Sequence, residues 1–167
     1  TAVEAFGGQA VMTSSAHPSG TDRIAEVAAQ RAYDIVVNVQ GDEPCIAPLA
    51  IDAMIAPLRD DATVAITTLA HPLRDVADLL TPHVVKVVVD RQGDALYFSR
   101  APIPYDRYAW SQAPQVLAAA GTPLTLPPGC YRHLGLYAYR REVLLQLARL
   151  PQTTLEQVEQ LEQLRAL

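Results

Sequence analysis

The chain is predicted to fold as an α/β domain, because strand-like and helix-like apolar patterns alternate along it. Asp34–Gln40 (DIVVNVQ) is β-branched and nearly continuously apolar, as expected of a strand covered on both faces. Thr21–Arg31 instead sets Ile24, Val27 and Ala28 on one face of a helix. Half of the 167 residues are apolar and 19% are charged, which places the chain with globular proteins long enough to bury a real core.

Taken in order, Thr1–Phe6 reads as the tail of a helix stopped by Gly7-Gly8. Gln9–Met12 reads as a short strand and Thr13–Gly20 as a polar loop. The helix Thr21–Arg31 follows, with Ser19 or Thr21 able to cap its start. The strand Asp34–Gln40 ends abruptly in Gly41-Asp42-Glu43-Pro44. A helix is expected from about Pro48 to Leu58, then a strand from Val64 to Ala70. Val84–Asp90 and Ala95–Ser99 flank the turn Arg91-Gln92-Gly93-Asp94, which predicts a hairpin. From Ala101 to Gly129 proline is frequent and periodicity lapses, as in functional or mobile loops. Arg132–Tyr139 resumes as a strand, with Arg141–Leu150 helical behind it. Thr154–Ala166 reads as one helix, in which Thr154 and Gln157 fit a capping box. Its apolar positions, Leu155, Val158, Leu161 and Leu164, recur at three-residue steps; Glu156, Glu159, Gln160 and Gln163 take the remaining face. A single domain spanning 1–167 is expected.

Bulk charge excludes some functions. The net charge is −5 and the longest basic run is the pair Arg140-Arg141, so a sequence-independent nucleic-acid binder is not expected. Apolar runs are short and broken, so no membrane insertion is expected, and no secretory leader pattern opens the sequence. Lys86 is the single lysine among thirteen basic residues. Cys45 and Cys130 share no metal-ligand spacing and are expected to be unpaired thiols. There is no HExxH, GxSxG or glycine-rich phosphate loop, so hydrolytic triads and Walker-type ATP binding have no support.

Four segments could carry chemistry. Val39–Pro44 ends a buried strand in Gly41-Asp42, placing a carboxylate at the edge of the sheet where ligands of α/β folds bind. Asp42 is suited to hold Mg²⁺ beside phosphates; a solvated turn is the alternative. His17–Arg23 runs a loop into a helix start, which suits an anion or a base edge but equally suits ordinary capping. Ala95–Pro104 pairs an aromatic strand with Arg100 at its end. In Arg132–Arg140, His133, Gly135, Tyr137 and Tyr139 alternate onto one face, polar and aromatic as sugar sites tend to be.

In this order and at these separations, VNVQGDEP (37–44), VKVV (85–88) with ALYFSR (95–100), RHLG (132–135) and LEQLR (161–165) are similar to the 3-deoxy-manno-octulosonate cytidylyltransferase (CMP-Kdo synthetase) family. The resemblance covers essentially the whole chain and is weakest over Asp106–Cys130. It implies a nucleotide-diphospho-sugar transferase-like (Rossmann-like) mixed sheet flanked by helices. It also implies Mg²⁺ as cofactor, CTP and Kdo as substrates, a homodimer, and a cytoplasmic place in lipopolysaccharide assembly. Matched residue by residue, Ser19, Gly20, Thr21 and Arg23 would line the cytidine pocket, Gln40 and Gly41 would border it, and Asp42 would be the catalytic metal ligand. Arg100, His133, Tyr137, Glu159 and Gln160 would face the sugar acid.

Such a reaction asks little covalent work of the protein; positioning and charge stabilisation dominate. Family members also carry an Arg-, Gly- and Lys-rich phosphate loop at the start and a Gly-Val-Asp-Thr-Pro-type metal segment near the end. Neither is found in these residues, so the chain is expected to be a fragment, incomplete at both termini. Two other readings stand beside this one. One is a nucleotidyltransferase for another acidic sugar, such as amino-Kdo or sialic acid. The other is a non-catalytic binding or dimerisation module.

Overall fold

The computed structural model describes residues 2–41, 45–108, 110 and 126–167. They form two compact units: Thr1–Thr67 with Tyr137–Leu150, and Thr68–Leu136 with Pro151–Leu167. Strands β2 (Ile66–Pro72) and β5 (Tyr131–Arg140) run through the division, so each gives residues to both units.

In the first unit, α1 (Ala2–Ala5) stops where Gly7 takes a positive φ of 85°, a conformation that costs glycine little. Helix α2 (Gly20–Ala29) is capped by Ser19, whose side chain accepts from the Asp22 N–H. Strand β1 (Ile35–Asn38) lies antiparallel to the last residues of β5, with Ile35 opposite Arg140 and Asn38 opposite Tyr137. Helix α3 (Pro48–Asp60) begins on proline, whose missing N–H would be unpaired in a first turn anyway. Helix α5 (Arg141–Leu147) packs Leu144 and Leu147 with Ala25, Ala28 and Tyr139 into the core.

The Arg140-Arg141 pair is structural. Arg140 donates to the carbonyls of Val64 (2.8 Å), Leu58 (2.6 Å) and Asp61 (2.8 Å), closing the C-terminus of α3. Arg141 reaches the carbonyls of Ala28 (2.8 Å) and Ala29 (3.2 Å) at the end of α2. Guanidinium groups at helix C-termini satisfy orphan carbonyls and oppose the helix dipole.

Two expectations for this unit are corrected. Gln9–Met12 is not a strand; Val11 and Met12 are exposed and the segment joins no ladder. Four strand-compatible residues do not make a strand without a neighbour to take their backbone bonds. The DIVVNVQ run is a strand only over Ile35–Asn38, and of these only Asn38 is buried.

In the second unit, α4 (Val76–Leu80) is a single capped turn held by the Asp75 side chain on the Ala77 N–H (2.8 Å), and no periodicity predicted it. Strands β3 (Lys86–Val89) and β4 (Ala95–Ser99) form the expected antiparallel hairpin, whose turn uses Gly93 at φ 93°. Strand β3 also pairs antiparallel with β5, Lys86 opposite Arg132. Val87 and Phe98 pack with Leu161 and Leu164, while Leu73, Leu79, Val84 and Cys130 enclose Trp110. Trp110 is thus part of the core of this unit.

The C-terminal helix is the largest correction. Helix α6 (Thr154–Glu159) ends at Gln160 in the left-handed region (φ 53°), and a 3-10 turn, Glu162–Arg165, follows. Its cap is Thr153, boxed with Glu156, not Thr154 with Gln157. Leu155 and Val158 are exposed, whereas Glu156 is buried against Arg165. A three-residue step falls about 60° short of a full α-helical turn, so four such apolar positions drift around a continuous helix. The break at Gln160 resets the phase and turns Leu161 and Leu164 inward.

Candidate functional site

The residues expected to meet the nucleotide lie in the first unit. The loop before α2 is pinned to that helix by its own side chains. Arg23 donates to the Thr13 hydroxyl and to the Ser14 carbonyl (3.2 Å). Glu26 accepts from the Ser14 N–H (3.0 Å) and pairs with the His17 Nε2. The His17 contact first, then the Ser14 N–H, holds the Glu26 carboxyl below its ordinary value. Ser19 both caps α2 and donates to Asp22 (2.5 Å), Gly20 opens the helix, and Thr21 is buried. The outcome is a fixed helix N-terminus, the kind of positive pole that favours an anion.

Arg23 also lines an open cavity of ≈530 Å³ with Gln9, Val11, Thr13, Val27 and Tyr33. Ser19, Gly20, Thr21, Gln40 and Gly41 are not among its walls. Gln40 donates to Asn38 (3.5 Å), the buried residue that ends β1. Gly41 is exposed, with no atom of the described residues within 4 Å of an added Cβ. Asp42, the expected Mg²⁺ ligand, lies with Glu43 and Pro44 outside the described residues.

Of the residues expected to meet the sugar acid, Arg100, Glu159 and Gln160 form one cluster in the second unit. The Glu159 carboxylate accepts from the Ser99 hydroxyl (2.6 Å), the Tyr97 hydroxyl (3.3 Å) and the Arg100 N–H (2.9 Å). Burial pushes the Glu159 carboxyl up, but these three donors and the Arg100 charge outweigh it and hold it below its ordinary value. In turn the Arg100 guanidinium donates to the carbonyls of Glu159 (2.7 Å), Pro82 (2.9 Å) and Gln160 (3.3 Å). A guanidinium has five N–H groups and a carboxylate about four acceptor positions. Among the described residues, therefore, two donors and one acceptor position remain for a ligand. Gln160 enters through its backbone, since its side chain turns back to Gln157 (2.6 Å).

His133 stands apart from this cluster's polar edge. It is buried, edge-on to Phe98 (4.8 Å), with Nε2 on the Thr68 hydroxyl (2.9 Å). The Thr68 proton is drawn to the Leu136 carbonyl (2.7 Å), so the His133 Nε2–H is the donor. Tyr137 belongs to the first unit, stacked on Tyr139 (5.7 Å) and opposite Asn38. The face of β5 opposite these residues is covered too, since Leu136 and Ala138 are buried as well as His133 and Tyr139. A strand with neighbours on both faces buries both alternating sets.

Sequence reasoning missed Ser99, Tyr97 and Asn38. For the first two the signal was present: they alternate onto one face of β4, next to Arg100.

An α/β chain with a fixed helix N-terminus in one unit and an Arg–carboxylate cluster in the other has the parts of a protein that handles anionic ligands. Residues 1–167 match the model of the cytidylyltransferase family throughout, and the chain belongs to that family. It is 53% identical over 166 residues to the 3-deoxy-manno-octulosonate cytidylyltransferase of Geobacter metallireducens, and 51% to that of Geobacter sulfurreducens. Each alignment takes in 99% of this chain, and the chain spans 63% and 64% of those relatives' length. A solved structure described as CMP:2-keto-3-deoxy-manno-octonic acid synthetase complexed with CTP superposes with a TM-score of 0.81 at 44% identity, covering 98% of this chain and 61% of that one.

Proposed function

We propose that this chain carries the nucleotide- and sugar-binding residues of an enzyme that transfers CMP from CTP to Kdo. The observation that carries the reading is the Arg100–Glu159 cluster, an ionised carboxylate and a guanidinium with capacity left for a hydroxylated acid. The similarity to relatives named for this reaction supports it. In the step envisaged, the anomeric hydroxyl of Kdo gives up its proton to solvent as its oxygen bonds to the α-phosphorus, the α–β phosphoanhydride bond breaks, and pyrophosphate leaves with the electron pair. The Arg100 donors would take the sugar's carboxylate, and Glu159 would orient a hydroxyl. The fixed start of α2, with Ser19, Gly20, Thr21 and Arg23, would hold the cytidine part; Gln40 and Gly41 would border it. Asp42 offers the hard oxygen donor that Mg²⁺ takes, and the ion when bound would screen charge between the two anionic substrates. A cytoplasmic homodimer belongs to the same reading, the dimer being open to light scattering. Among the described residues, no helix is long and apolar enough to cross a membrane.

The test is pyrophosphate release by the gene's full-length product, given CTP and a panel of Kdo, amino-Kdo and sialic acid, with products read by mass spectrometry. CMP-Kdo as the main product is expected. A different sugar product moves the reading to that acid, and binding without turnover reduces it to a binding module. Glu159→Gln is expected to raise the KM for Kdo by roughly tenfold, the weight of one half-buried charged hydrogen bond.

A further inference from the structure

The only lysine of the chain, Lys86, has no solvent-exposed surface. Its ammonium donates to the carbonyls of Thr81 (2.9 Å), Val84 (2.6 Å) and Arg100 (2.5 Å), which uses all three of its N–H groups. Every acceptor is a neutral carbonyl. Burying an ammonium costs several kcal/mol even with good hydrogen bonds, and an apolar side chain would fill the same space without that cost. Burial accordingly pulls the Lys86 pKa below 10.5, with the Glu159 charge opposing it and the Arg100 charge adding to it. A cation kept under these terms needs a reason, and its contacts supply one.

Lys86 opens β3 directly opposite Ser99, the residue whose hydroxyl holds Glu159. It grips the Arg100 carbonyl, while the N–H of the same residue holds the Glu159 carboxylate and its guanidinium holds the Glu159 and Gln160 carbonyls. Arg100 also reaches Pro82, in the 81–84 segment that Lys86 itself binds at Thr81 and Val84. The hydrogen bonds therefore close into a circuit: Lys86 to Arg100, Arg100 to Pro82, and the 81–84 segment back to Lys86. Glu159 and Gln160 hang from one side of it.

We propose that Lys86 is a positioning residue for the sugar-acid pocket, its ammonium fixing the Arg100 backbone so that Arg100 presents Glu159 and its own guanidinium to the ligand. This rests on the reading of Arg100 and Glu159 given above. The Lys86 ammonium gathers three carbonyls at a single nitrogen, a convergence that arginine, which spreads its donors over a flat fork of three nitrogens, does not reproduce although it keeps the charge. Lys86→Arg therefore separates geometry from charge, and Lys86→Met removes both.

Steady-state kinetics of the full-length product, with Glu159→Gln as reference, tests this. In Lys86→Arg the KM for Kdo is expected to rise roughly tenfold, with the KM for CTP within about twofold of the parent. Lys86→Met is expected to show the same split, larger. Equal changes in both KM values, or no change, overturn the proposal. So does failure of both variants to fold, which would make Lys86 a fold requirement only. If Glu159→Gln raises the KM for Kdo while the Lys86 variants do not, the inference falls and the reading of the pocket stands. A parent protein without turnover of Kdo removes the reading and the inference together.

Discussion

At neutral pH the His133 imidazole is uncharged, because burial beside Phe98 pulls its pKa from 6.5 to about 4. It can donate a hydrogen bond but cannot meet a carboxylate as a cation. Between these two pKa values the unfolded chain binds a proton that the folded chain refuses, so stability falls as pH drops from 6.5 toward 4. The loss is on the order of 3 kcal/mol once the lower value is passed. Urea unfolding of the parent and of His133→Gln at pH 7 and pH 4.5 checks this: the parent is expected to lose more stability over that interval. Ser19 shows a residue of another kind, whose side chain both caps α2 and bonds Asp22. Ser19→Ala is expected to cost about 1 kcal/mol, measured by the same unfolding curves.

At the level of elements, the end of the chain is organised by the buried pair Glu156–Arg165 rather than by apolar periodicity. Glu156 boxes the cap of α6, and the Arg165 fork grips its carboxylate from beyond the break at Gln160. Removing one partner strands the other charge in the interior, so Glu156→Ala is expected to destabilise by about 3–5 kcal/mol. The double variant Glu156→Leu/Arg165→Met is expected to lose less than the sum of the single losses, a coupling that denaturant titration of the four proteins measures. Thr154 with Gln157 is the capping pair expected from the sequence, one residue on from the Thr153–Glu156 box that forms. What decided between them is the fork of Arg165, nine residues on, which no local motif announces. The same holds for α4, a five-residue turn too short to show a period.

Across the whole molecule, elements with a strong period were legible: α2, α3, the β3–β4 hairpin and the long β5. The types of the candidate site residues were legible too, through the order of their motifs. Their hydrogen-bond partners were not, since Ser99 and Glu159 meet although they are sixty positions apart. Nor did the letters divide the chain into two units, each holding most of one proposed ligand's residues. Hydrogen exchange on the full-length product can read the units separately. CTP is expected to protect residues 13–30, and Kdo to protect residues 95–100 and 154–165; protection in neither segment counts against the assignment of that ligand.

The sealed amine at the start of β3 also bears on handling the protein. An endoprotease that cuts only after lysine has a single peptide bond to attack in these 167 residues, and that bond lies within a paired strand. The folded chain will pass through such digestion whole. Each excursion that frees the strand will leave fragments 1–86 and 87–167, so the cleavage rate becomes a clock for the opening of one hairpin.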